Sequence, residues 1–173
     1  GLAAERFGQA HLATEKDIER SLRDVSAENE LVSDLAFLKD EWNLIVDAWD
    51  VRDVNTYRDL PRLGRKVRMA QSRRDEYWKI FGEVRARLEA EKKKTLAGLM
   101  HRLSREMGVS PYTHVVVDEA QDISVPELHL LAAMAGDREN GLFFAGDIGQ
   151  RIFRSPFPWK AVGVDVQGRS RSL

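Results

Sequence analysis

The strongest constraint on the fold lies in residues 114–122, HVVVDEAQD, where three β-branched apolar residues run directly into three acids within five positions. The apolar run from Tyr112 to Val117 is short and bounded by turn residues, which predicts a buried strand. Ser124-Val125-Pro126-Glu127 then reads as a capping box with proline in the first turn, opening a helix through Ala135 that Gly136 ends. Leu142-Phe143-Phe144-Ala145 is a second apolar run leading into Gly146-Asp147. Strand, helix and strand in so short a span make a βαβ unit, whose parallel strands bring Asp118 and Asp147 to one carboxyl edge. Ligands of open α/β sheets bind outside that edge.

Upstream the periodicity is helical. Leu31, Leu35, Leu38, Trp42, Ile45 and Trp49 recur at steps of four and three, predicting a helix over 26–49 with one apolar stripe for core or helix pairing. Pro61, Gly64 and the basic set Arg58, Arg62, Arg65, Lys66 and Arg68 mark 51–69 as a connector with a short helix. Tyr77, Phe81, Val84 and Leu88 predict a second helix, and Leu96, Leu99, Leu103 and Met107 a third, with a turn at 91–94 and a stop at Gly108 and Pro111. The expected fold is α/β overall but mainly helical: a helical, partly basic subdomain over 1–110, then part of a parallel α/β domain over 111–173.

Among the 173 residues there is no cysteine, which removes disulfides and thiolate metal sites and makes a reducing, cytoplasmic setting the expectation. No apolar run is long enough to span a bilayer as a helix, so no membrane partner is expected. The chain opens on Gly1 rather than Met and stops at Leu173 inside what reads as structure, which suggests a piece of a longer protein. The net charge of -1 hides segregation: residues 1–57 carry -7, 58–105 carry +9, 106–147 carry -7 and 148–173 carry +4. Basic blocks framing an acidic one suit a protein that meets a polyanion and a metal ion on different surfaces. Solvated charge on long helices is the plainer alternative.

A carboxylate at a strand end can hold Mg²⁺, and an adjacent one can orient and deprotonate a water for attack on a phosphoryl group. A buried strand would fix both acids to the tolerance such chemistry needs. For a bare Asp-Glu pair, capping or solvation is the commoner role. The longer string VVVDEAQD, however, resembles motif II, the Walker B element, of UvrD/Rep-type superfamily 1 DNA helicases. Residues 143–153, FFAGDIGQRIF, resemble that family's motif III, an apolar strand followed by Gly-Asp-x-x-Gln-x-Ile-aromatic. The resemblance covers about 113–173.

The resemblance implies roles. Asp118 would hold Mg²⁺, Glu119 would be the catalytic base, and Gln150 would contact the γ-phosphate of ATP. Gln121, Asp122 and Asp147 would couple the nucleotide to the DNA site. Phe153 occupies a position that stacks on single-stranded DNA, an interaction worth roughly 1–3 kcal/mol for any base. Where many members continue with a Trp-Arg-Gly-Ala-like string, this chain has Arg154-Ser155-Pro156-Phe157-Pro158-Trp159-Lys160. Phe157 and Trp159 either stack on bases, with Arg154 and Lys160 near phosphate, or pack on their own loop.

No Gly-x-x-x-x-Gly-Lys-[Ser/Thr] string occurs, so the phosphate-cradling loop is absent from this sequence. The chain therefore resembles the middle of a helicase: a partial P-loop NTPase-type motor domain (1A-like) preceded by a 1B-like helical subdomain. The intact protein is expected to hydrolyse ATP with Mg²⁺ and move along single-stranded or partially duplex DNA, 3′ to 5′, together with the remaining helicase domains. In a bacterium that implies a nucleoid-associated enzyme, with DNA repair as the expected setting. The alternatives are a non-catalytic nucleic-acid or protein-binding module and a metal-dependent nuclease using Asp118, Glu119 and Asp122.

Overall fold

The computed structural model describes residues 11–30, 34–62, 69–110 and 112–146. Two compact units result, Gly1–Leu99 and Met100–Leu173.

In the first unit, strand β1 (His11–Leu12) leads into helix α1 (Glu15–Glu28). Thr14 caps α1: its hydroxyl accepts the Asp17 N–H at 3.2 Å, and Asp17 returns the bond by accepting the Thr14 N–H at 2.9 Å. Helix α2 (Leu35–Glu41) runs into a π-helical turn, Trp42–Val46. Helices α3 (Val54–Asp59) and α4 (Gln71–Ala90), then strand β2 (Lys93–Lys94), complete the elements that lie wholly in this unit. The core is built from α1, α2, the π turn, α3 and α4, with Leu22, Val25, Leu38, Val46, Tyr57, Phe81 and Val84 fully buried. Aromatic pairs run through it: the Tyr57 ring stacks on Trp78 at 5.4 Å and meets Phe81 edge-on at 5.9 Å.

The helix expected over 26–49 is two helices. Asn29 ends α1, its side chain donating to the Val25 carbonyl at 3.0 Å, and Glu30 turns left-handed at φ 51°. Asp34 restarts the chain as an N-cap, accepting the Ala36 N–H at 2.9 Å. The apolar stripe hid this break because Leu35, Leu38, Trp42 and Ile45 keep helical spacing after it. Where the stripe reaches Trp42 the helix widens: Asp47 donates to the Trp42 carbonyl at 2.8 Å, five residues back. Ile45 and Val46 are both buried in this wider turn. The short helix of 51–69 is α3, and the stripe Tyr77, Phe81, Val84, Leu88 is the buried face of α4. The turn at 91–94 contains β2, paired in parallel with β1 in the register His11↔Lys93 and Leu12↔Lys94. A partner so far upstream leaves no local trace in the sequence.

Helix α5 (Leu96–Glu106) contains the division between the units. The second unit holds strand β3 (Val115–Val117), a 3₁₀ turn (Ala120–Asp122), helix α6 (Val125–Ala135) and strand β4 (Leu142–Phe144). The βαβ unit is present: β3 and β4 pair in parallel with Val115↔Leu142, Val116↔Phe143 and Val117↔Phe144 in register. Glu127 accepts the Ser124 N–H at 2.7 Å and its hydroxyl, closing the box that starts α6, and Gly136 ends the helix at φ 65°. Replacing Ser124 by Ala is expected to cost about 0.5–2 kcal/mol, read from the denaturant midpoint of this unit.

The strands are less buried than their composition predicts. Val115 is buried, whereas Val116 and Phe143 are 72% and 61% exposed. Among the described residues α6 packs on this pair, and β-strand side chains alternate between faces, so alternate residues of these runs stay uncovered.

Candidate functional site

Parallel pairing aims both strands at one edge, where the chain leaving β3 turns sharply. Asp118 and Glu119 sit in that turn, both exposed. Asp118 Oδ1 accepts the Glu119 N–H at 2.9 Å. Glu119 is left-handed, at φ 53° and ψ 43°, a region costly for a residue with a Cβ. Three backbone ties hold it there. Val117 accepts the Ala145 N–H at 2.8 Å, Ala145 accepts the Ala120 N–H at 2.9 Å, and the Glu119 carbonyl accepts the Asp122 N–H at 2.9 Å. Glu30, Asp50, Lys92 and Asn140 are left-handed too, so the conformation by itself marks a turn; what sets Glu119 apart is its place beside Asp118 at the carboxyl edge of the strand pair.

The Gln121 side chain, half-buried, donates from Nε2 to the Glu119 carboxylate. Asp122 is exposed on the same 3₁₀ turn. A groove of about 380 Å³ opens here, lined by Asp118, Glu119, Asp122 and Glu127 on its polar side and by Ile123, Leu130 and Leu131 on its apolar side. Of the residues expected to form the site, the structure thus brings together Asp118, Glu119, Gln121 and Asp122. Asp147, Gln150, Phe153, Arg154, Phe157, Trp159 and Lys160 lie outside the described residues.

Two contributors escaped the sequence reading. Glu127 is visible there only as a cap, yet it also lines the groove. Gly146 stands against the turn so closely that a Cβ would fall 2.8 Å from the Ala120 nitrogen and well inside van der Waals contact with Gln121 Oε1. A glycine directly after an apolar strand is the only sequence signal for that close approach.

The donor set is compatible with Mg²⁺ held jointly with phosphates. Asp118 Oδ2 bonds to none of the described residues, and among them no group of three or more His, Cys, Asp or Glu is disposed to hold a metal by itself. Mg²⁺ is commonly held by one or two carboxylates, waters and substrate phosphates rather than by an all-protein cage.

Much of the basic block 58–105 is used inside the fold. Arg58 forms a two-pronged pair with Asp75 at 2.7 Å on each arm, and its guanidinium holds the Asp75 carboxyl below the usual range. Arg62 pairs with Glu41, Arg87 with Glu28, Lys93 with Asp17 and Arg102 with Glu106. Arg85 is half-buried beside the Trp42 and Trp78 rings, 5.9 Å from each, and burial lowers its affinity for the proton. The block's charge of +9 therefore overstates what it offers a polyanion.

A parallel strand pair with an acidic turn at its carboxyl edge is the arrangement at which open α/β sheets bind ligands. The family model of the UvrD/REP helicase N-terminal domain matches residues 8–155, which takes in the helical region as well as the βαβ unit. The chain belongs to that family. DNA helicase IV of Escherichia coli (strain K12) is 39% identical over 72 residues, covering 39% of this chain and 10% of that protein. The match thus spans about a tenth of the relative's length. No solved structure matches the chain significantly.

Proposed function

We propose that this chain is the central part of an ATP-dependent DNA helicase or translocase that couples Mg-ATP hydrolysis to movement on single-stranded DNA, 3′ to 5′. The observation that carries the reading is the turn after β3: two adjacent carboxylates at the carboxyl edge of a parallel pair, the second fixed by a left-handed backbone. Membership of the UvrD/REP family supports it. The unit 1–110 would be the 1B-like accessory subdomain and 111–173 part of the 1A-like motor domain.

Each residue in the turn has a separate task. Asp118 would hold Mg²⁺ through the oxygen not used by the Glu119 N–H. Bound there, Mg²⁺ would neutralise charge on the β- and γ-phosphate oxygens. Glu119 would take the proton of the attacking water, and Gln150 would contact the γ-phosphate. Gln121, Asp122 and Asp147 would couple this site to DNA contacts at Phe153, Arg154, Phe157, Trp159 and Lys160. The phosphate-cradling loop would come from elsewhere in the intact protein.

The test is ATP turnover by the intact protein with Mg²⁺, with and without single-stranded DNA. Stimulation by DNA is expected, and turnover indifferent to DNA overturns the motor reading. This chain alone, whose sequence has no phosphate loop, is expected to show no appreciable ATP hydrolysis.

A further inference from the structure

The Gln121 amide is placed between the Glu119 carboxylate and the backbone of Gly146. On one side its Nε2 donates to the Glu119 carboxylate. On the other its Oε1 lies against Gly146, at a spot where a Cβ on residue 146 would have to be. Ala145, immediately before Gly146, is bonded in both directions to the acidic turn, through Val117 and Ala120, which ties the chain to the turn on that side. The side chain thus fills a gap between the exit of β4 and the acid, and a glycine is what makes the gap wide enough.

We infer that Gln121 is the positioning residue for Glu119, held in place by the close approach of Gly146, so that β4 sets where the Glu119 carboxylate stands. The inference rests on the reading of Glu119 as the base in ATP hydrolysis. A carboxylate on an exposed turn has free rotamers, and a general base must lie within hydrogen-bond reach of the proton it takes. The backbone ties fix where the Glu119 side chain begins, and the Gln121 amide fixes where it ends. Gln121 itself touches neither water nor phosphate in this role.

The experiment uses the intact protein. Q121M keeps a side chain of similar length beside Gly146 but removes the amide donor. It is expected to lower DNA-stimulated kcat about 10–100-fold, the scale of misplacing a catalytic group by about an ångström, with KM for ATP essentially unchanged. G146A, which drives a methyl group into the amide's place, is expected to lower kcat with the same KM pattern. The double variant G146A/Q121M is expected to be no worse than the more damaged single variant, because both act through one amide. Thermal melting of each variant reports on folding separately, and Q121M carries the test should G146A fail to fold. A Q121M enzyme with normal kcat overturns the inference, as do multiplicative losses in the double variant. E119Q measured alongside separates two failures. Turnover that survives E119Q removes the reading of Glu119 and the inference with it, whereas an inactive E119Q beside an active Q121M overturns the inference alone.

Discussion

Glu119→Gln in the intact protein is expected to lower DNA-stimulated ATP turnover by about 10²–10⁴-fold while leaving ATP binding in place, since general-base catalysis contributes on that scale. The substitution is nearly isosteric and removes only the capacity to take a proton. Glu119 is exposed, so little packing is lost with it. Its backbone conformation is set by ties through Val117, Ala120, Asp122 and Ala145, none of which uses its carboxylate. Gln121 Nε2 can donate to an amide oxygen as it does to the carboxylate. A fall in kcat with unchanged nucleotide affinity, measured by binding of a non-hydrolysable ATP analogue, assigns the loss to chemistry. Near-normal turnover would remove Glu119 as the base and leave the acidic turn a structural one.

How far the sequence exposes this arrangement depends on the range of the interactions. Local signals survive intact: Ser124 and Glu127 announce a cap, Gly136 a helix end, and alternating steps of three and four the buried face of α4. Features that depend on distant partners do not. The left-handed turn at Glu119 follows from the way β4 bonds to Val117 and Ala120, and nothing in the string DEAQD states it. The parallel pairing of β1 with β2 is silent for the same reason. Periodicity misleads where an apolar stripe continues in phase across a break, as it does between Asn29 and Asp34. The basic block misleads in another way, because a charge count cannot distinguish an arginine offered to DNA from one already facing an acid. Arg62 is the sharpest case. Read along the chain it belongs to a connector; in the fold its side chain is 8% exposed.

Removing that guanidinium is expected to destabilise the first unit strongly. Glu41, in the last turn of α2, is fully buried, and its Oε1 lies 2.8 Å from both Nε and Nη2 of Arg62 and 2.9 Å from the Tyr57 hydroxyl that donates to it. The same guanidinium donates to the Tyr57 carbonyl at 3.0 Å and the Leu60 carbonyl at 3.1 Å, and lies 4.7 Å from the centre of the Tyr57 ring. Arg62→Met keeps most of the aliphatic packing but takes the positive charge from a carboxylate that remains buried, which costs about 3–5 kcal/mol when one partner of such a pair is lost. Adding Glu41→Gln removes the uncompensated charge and keeps an acceptor for Tyr57, so the double variant is expected to recover a large part of the loss. Urea denaturation of the wild type, the two single variants and the double variant measures the coupling; additive losses would mean that the two side chains do not act as a pair. Alkaline pH probes the same cluster. Burial, and then the Glu41 charge, push the Tyr57 phenol well above its ordinary value. A group whose folded value is raised stabilises the fold below its unfolded value, about 10 for tyrosine, and that contribution drains away as pH rises beyond it, because the unfolded chain then releases the proton first. Stability of the wild type should therefore fall above about pH 10, and Tyr57→Phe, although less stable at neutral pH for want of the hydrogen bond, should lose that part of the alkaline slope.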